Sequence, residues 1–113
     1  MEKRNQYRNA IKKVILEHQD YRENHWEEFD IQVVFDEQRG HFFLMNVGWK
    51  GMSRLHSCLM HIDLKPDGKI WIQKDFTEDG IAARLMELGI PKQQIVLGFH
   101  APFKRPFTEF APT

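Results

Sequence analysis

His61 and Asp63 are the residues of this chain best spaced for chemistry. They lie two positions apart in a segment of alternating polarity, SCLMHIDL, so a strand would place both on one face, within reach of a proton or a metal ion. His56 falls on the other face of a regular strand and joins them only through a bulge. No third ligand lies nearby in the chain, so the pair is read as a surface His–Asp hydrogen bond, with no metal and no catalytic residue assigned. Cys58 falls on the apolar face of the same segment and reads as a small buried hydrophobe rather than a nucleophile.

Other chemistries fail on spacing. The serines, Ser53 and Ser57, have no G-x-S-x-G frame around them. No phosphate-binding or dinucleotide glycine pattern occurs, and no cofactor is expected. Pro66-Asp67 invites comparison with metal nucleases that carry P-D…(D/E)-x-K on a hairpin, but Ile72, not an acid, lies two before Lys74. IAARLMELGIPKQQIVLGF faintly suggests a helix-turn-helix. Its second half offers only Lys92, Gln93 and Gln94 before the strand-like Val96 and Leu97, too short a polar face to read a groove. The chain is therefore not expected to be an enzyme.

The elements that would position these residues follow from periodicity. Tyr7, Ile11, Val14, Ile15 and His18 recur at helical spacing and predict a helix from Asn5 to His18, followed by a polar connection over Gln19–Glu28. Phe29, Ile31, Val33 and Phe35 alternate with mostly polar residues, as a strand does. Two hairpin registers fit. Phe35 opposite Phe42 would set Ile31 against Asn46; Phe35 opposite Phe43 keeps one face wholly apolar, through Met45, Val47 and Trp49. Burial favours the second, with Gln38, Arg39 and Gly40 as a three-residue loop. Lys65-Pro66-Asp67-Gly68 is a strong turn that sets Leu64 opposite Ile70 and Ile62 opposite Ile72. Met60 and Cys58 complete that apolar face, and Leu59, His61, Asp63, Trp71 and Gln73 lie on the other. A second helix, near residues 77–88, carries Ile81, Leu85 and Leu88, with Asp75 or Thr77 as cap, Asp75 and Glu78 resembling a capping box, and Gly80 weakening its first turns. Gly89 stops it.

One domain is expected over residues 1–113, in the α+β class: a twisted antiparallel sheet of two hairpins packed with two helices. An apolar share of 42% suffices for a small core. No run of apolar residues is long enough to span a membrane, and MEKRNQYRN has no signal-peptide core, so a cytoplasmic location is expected. Basic and acidic residues number 16 each, leaving zero net charge. Nucleic-acid binders depend on a basic excess, so DNA contact is expected to be indirect, while neutrality favours self-association or a standing partner.

The polar face with Trp71 and the ending FHAPFKRPFTEFAPT are the segments best suited to recognition. Tryptophan and arginine concentrate at interface centres, although the tail or the first helix could equally cover Trp71 within one chain. In the ending, Phe103, Phe107 and Phe110 are too apolar to leave wet, and its prolines exclude a helix or a central strand. It reads as an extended strap laid on apolar surface of its own sheet or of a second chain, with Lys104, Arg105 and Glu109 pointing outward. The interface candidates are thus Trp71, Gln73, His61, Asp63, Phe103, Arg105, Phe107 and Phe110.

Four stretches, NVGW (46–49), HIDLKPDGKIWIQKDFTEDGIA (61–82), LGIPKQQIVLGFHAP (88–102) and the R-x-F-T-x-F-A ending (105–111), together resemble XisI, the fdxN-element excision controlling factor family of cyanobacteria. The chain departs from the family pattern at Phe76, where members often carry a small residue. The resemblance implies a compact α+β fold and an accessory role in programmed DNA excision beside a recombinase and a nuclease-like companion, XisH. It carries over no catalytic residue. A XisH-like protein is the expected partner, with a homo-oligomer as the expected assembly; a direct DNA-binding excision factor and an inhibitor of the nuclease are the rival roles.

Overall fold

The computed structural model describes residues 2–25, 29–77 and 80–113. Helix α1 (Glu2–His25) lies across one face of a five-stranded sheet made of β1 (Phe29–Asp36), β2 (His41–Lys50), β3 (Ser53–Leu64), β4 (Ile70–Asp75) and β5 (Ile95–Leu97), with α2 (Ile81–Glu87) between β4 and β5. The strands follow chain order across the sheet. The first four are antiparallel neighbours, and β5 runs parallel to β4. This is the α+β class predicted. The parallel fifth strand is an addition that α2 makes possible, because a parallel neighbour needs a crossover.

Helix α1, 24 residues long, extends beyond its predicted range at both ends, by about two turns at the C-terminal end. The buried stripe Tyr7, Ile11, Val14 and Ile15 continues through half-buried His18 to buried Arg22, and neither Gly nor Pro interrupts it. Gln19 donates to the Ile31 carbonyl at 3.2 Å, so the predicted polar connection is helix as far as His25. Its last residues, 26–28, lie outside the described residues.

The predicted register of the first hairpin is overturned. Phe35 pairs with Phe42, Ile31 with Asn46 and Phe29 with Gly48. Strand β2 is central and must match two neighbours. Its Phe42 and Leu44, both fully buried, meet Ile62 and Met60 of β3, whose own face is set by β4. The loop is four residues long, closed by Gly40 N–H donating to the Asp36 carbonyl at 2.8 Å. Gly40 has φ +79°, and a Cβ there would lie 2.3 Å from the Leu64 carbonyl oxygen, so the turn is also wedged against β3.

The β3–β4 hairpin is as predicted, with Leu64 opposite Ile70 and Ile62 opposite Ile72. Farther along, Leu44 pairs with Met60 but Met45 with Cys58, so Leu59 is an extra residue in β3. The bulge exchanges two assignments: Leu59 is buried in the core, and Cys58 is only half-buried.

Helix α2 is shorter than predicted and begins at Ile81. Gly80 precedes it with φ +89° and serves as the bend into the helix instead of weakening its interior. Asp75 does hold the helix start, its carboxylate accepting from the N–H groups of Thr77 and Ile81 at 2.9 and 2.8 Å. The Glu78 half of the proposed capping box lies outside the described residues. Ile81, Ala82 and Leu85 are buried, Leu88 is half-buried, and Gly89 takes φ +95° at the predicted stop. No helix among the described residues is long and apolar enough to cross a membrane.

Candidate functional site

The sheet face away from α1 gathers the predicted polar residues. Asp63 sits between His41 on β2 and Trp71 on β4, directly opposite each in the ladder. The bulge at Leu59 creates this alignment. Beyond it, toward the Gly51–Met52 turn, paired positions on β2 and β3 sum to 103, as Lys50 with Ser53; past Leu59 they sum to 104, as His41 with Asp63. A regular ladder would have put Ile62 opposite His41. A second irregularity leaves Gln73 extra in β4, between the pairs Ile62–Ile72 and His61–Lys74.

Three side chains converge on one carboxylate. His41 Nδ1 lies 2.7 Å from Asp63 Oδ1, and His61 Nε2 lies 2.9 Å from the same oxygen. Gln73 Nε2 donates to the other oxygen at 3.2 Å. An ionised carboxylate only accepts, so each facing ring nitrogen carries its proton. Asp63 is 6% exposed. Burial alone would raise its pKa, but the hydrogen bond from His41, the nearby His61 and the bond from Gln73 together hold it below the usual value. The Phe43 ring packs on His61 with centroids 4.2 Å apart. The His61–Asp63 hydrogen bond read from the sequence is present, but on a buried carboxylate rather than at the surface. The residue missed was His41, which is 22 positions from Asp63 and is brought there only by the bulged register.

Cys58 is not poised for attack. Its thiol donates to the Met60 carbonyl, and burial pushes its pKa up, which keeps it protonated. The helix-turn-helix frame is not built, because Lys92–Gln94 form a single 3-10 turn that leads directly into β5.

Trp71 is covered from within the chain. The Arg105 guanidinium stands 4.9 Å from its ring centre and the Lys65 ammonium 5.6 Å. Arg105 also donates to the carbonyls of His100 and Gly98, so it turns inward, against the prediction that it points out. Lys104 and Glu109 are exposed as predicted.

The ending is neither extended nor largely buried. Arg105–Phe107 form a 3-10 turn, which Pro106 tolerates because the first turn of a helix needs no N–H there. The segment is fastened beyond that turn. Ala111 N–H donates to the Ile95 carbonyl at 2.9 Å, Phe110 packs on the core, and the Lys69 ammonium contacts the Thr113 carbonyl. Of the three phenylalanines expected to be buried, only Phe110 is partly so. Phe103 is 72% exposed and Phe107 90%, with Phe99 about half exposed beside them. The tight turn that Arg105 imposes by reaching inward sends its neighbours' rings outward.

The chain matches the family model "XisI protein" over residues 1–112. It belongs to the XisI family. Two crystal structures from Anabaena variabilis ATCC 29413 extend the likeness to three dimensions. A XisI-like protein is 35% identical with a TM-score of 0.85, over 96% of this chain and 97% of that one. The fdxN element excision controlling factor XisI is 33% identical with a TM-score of 0.87, over 98% and 99%. A comparison with curated proteins finds no match. Coverage of nearly the whole of each chain means that the likeness is not confined to the sheet and helices.

Proposed function

We propose that this XisI-family chain is an accessory factor in the controlled excision of a DNA element, acting by binding a protein partner rather than by chemistry of its own. The related XisI from Anabaena variabilis is an fdxN element excision controlling factor. The observation that carries the binding mode is the pair Phe103 and Phe107, held in solvent at 72% and 90% exposure on a segment fastened at Arg105 and Ala111. Presenting two phenylalanines on a fixed turn forgoes about 2 kcal/mol of burial for each ring. A binding surface recovers that energy, and the ordered turn lowers the entropy lost on docking. Of the candidates from sequence, Phe103 and Phe107 are then the anchors, Arg105, Trp71 and Phe110 hold the turn in place, and His61, Asp63 and Gln73 lie on the flanking face. The partner proposed is a XisH-like nuclease, with DNA reached through it.

The test is co-purification of the chain with a XisH-like protein, with Phe103→Ser/Phe107→Ser alongside. Capture by the native chain and its loss in the folded double variant are expected. Capture unchanged by the double variant would remove the tail from the interface, and tight binding of the isolated chain to duplex DNA would replace the partner reading altogether. A nuclease assay of the complex then gives the sign of control.

A further inference from the structure

His41 Nδ1, His61 Nε2 and an Asp63 oxygen all lie within 4.8 Å of one another, on three strand positions rather than on loops. Two features go beyond what a plain hydrogen-bond pair needs. Both imidazoles aim at a single oxygen, Oδ1, although a carboxylate with two donors to accept has two oxygens to share between them. The second oxygen is fixed instead by Gln73, the extra residue of the β4 irregularity, which is how ligating carboxylates are oriented.

We infer that His41, His61 and Asp63 form a three-ligand site for a divalent transition metal of the zinc type, with one coordination position open. Two imidazole nitrogens and one carboxylate oxygen suit zinc and its neighbours, whereas magnesium and calcium prefer oxygen alone. Ligands about 2.0–2.2 Å from zinc stand about 3.3 Å apart around a tetrahedron. The two nitrogens now lie 2.7 and 2.9 Å from Oδ1, so each ring needs to withdraw by about half an ångström. His41, with a side chain 43% exposed, has room to do so and leaves the ion an entry path. The Phe43 ring walls the His61 side. The proton on each facing nitrogen gives way to the ion, and a neutral ring carries it on its other nitrogen instead.

The site stands independently of the partner reading and is tested on the isolated, tag-free chain. Zinc titration by calorimetry and cobalt(II) titration by visible absorption should both show one ion per chain. His41→Gln and His61→Gln should each abolish uptake, and Gln73→Ala should weaken it by about 10–100-fold. His56→Gln, on an exposed histidine, should leave it unchanged. In the native chain, zinc should shift the ring resonances of His41 and His61 and spare those of His56, a measurement that needs no variant to fold. Absence of saturable uptake, uptake retained in both histidine variants, or no shift at His41 and His61 would each overturn the site.

Discussion

Replacing Gly40 with alanine should destabilise the protein by about 3 kcal/mol, in two separable parts. The first is conformational: at φ +79° a side chain costs about 1 kcal/mol or slightly more. The second is steric. The new Cβ would sit 2.3 Å from the Leu64 carbonyl oxygen, which is backbone and cannot swing aside. The turn would have to lift off β3, breaking the 2.8 Å bond from Leu64 N–H to the Gly40 carbonyl. Leu64 is 1% exposed, so stranding that N–H adds about 1–3 kcal/mol. At about 4 °C per kcal/mol for a domain of this size, the fall in Tm is roughly 12 °C. Gly51→Ala is the internal control, since Gly51 also has positive φ but nothing within 4 Å of a Cβ. It should show the conformational part alone, about 1 kcal/mol. Urea unfolding of both variants measures the difference. Equal losses would refute the wedge of the turn against β3.

The ending should divide by residue. Phe110→Ala, which removes a ring packed on the core, should cost about 1–2 kcal/mol in denaturant unfolding, while Phe103→Ser/Phe107→Ser should change stability by less than about 0.5 kcal/mol. Comparable losses in the two would mean that the exposed rings are buried in solution. Arg84 joins the helices by donating to both Glu17 carboxylate oxygens, at 3.0 and 2.8 Å, and that bond lowers the Glu17 pKa. A lowered folded pKa gives stability that is present above the unfolded value, about 4.3, and is lost as pH falls through the folded one. Glu17→Gln should therefore flatten the stability profile on the acid side of that value. The difference should shrink in high salt, because the pair is partly exposed; a profile unchanged by the substitution would show that the pair contributes nothing.

The legible parts of this chain were those in which a local signal and the final environment agree. Lys65–Gly68 names its own turn, and Ile62, Leu64, Ile70 and Ile72 alternate on both sides of it, so one hairpin is enough to determine the pairing. Strand β2 is different, because Phe42 and Leu44 compete with Phe43, Met45 and Val47 for the core, and two-strand reasoning has no means to choose. Asn46 weighed against the observed register as a residue that belongs in water, yet it is buried. The candidate site was hidden for a related reason. His61 and Asp63 advertise themselves by spacing, but His41 reaches them through an inserted residue, Leu59, and period-two counting does not register insertions. For the ending, composition predicted burial of Phe103, Phe107 and Phe110, but only Phe110 packs on this chain's core, because apolar content alone does not say which rings a tight turn presents.

The two margins of the sheet differ. On the β5 side, Ala111 bridges Val96 and occupies the outer margin of the strand. On the other side β1 has β2 as its one neighbouring strand, with a single carbonyl, that of Ile31, engaged by Gln19 among the described residues. A sheet closed at one margin and open at the other has a valence of one. Strand-to-strand joining of two copies would meet least obstruction β1 against β1, about a twofold axis, leaving the two bridged β5 margins outermost. The ending thus serves as an edge cover on the β5 side, and the β1 side has no such bridging segment among the described residues.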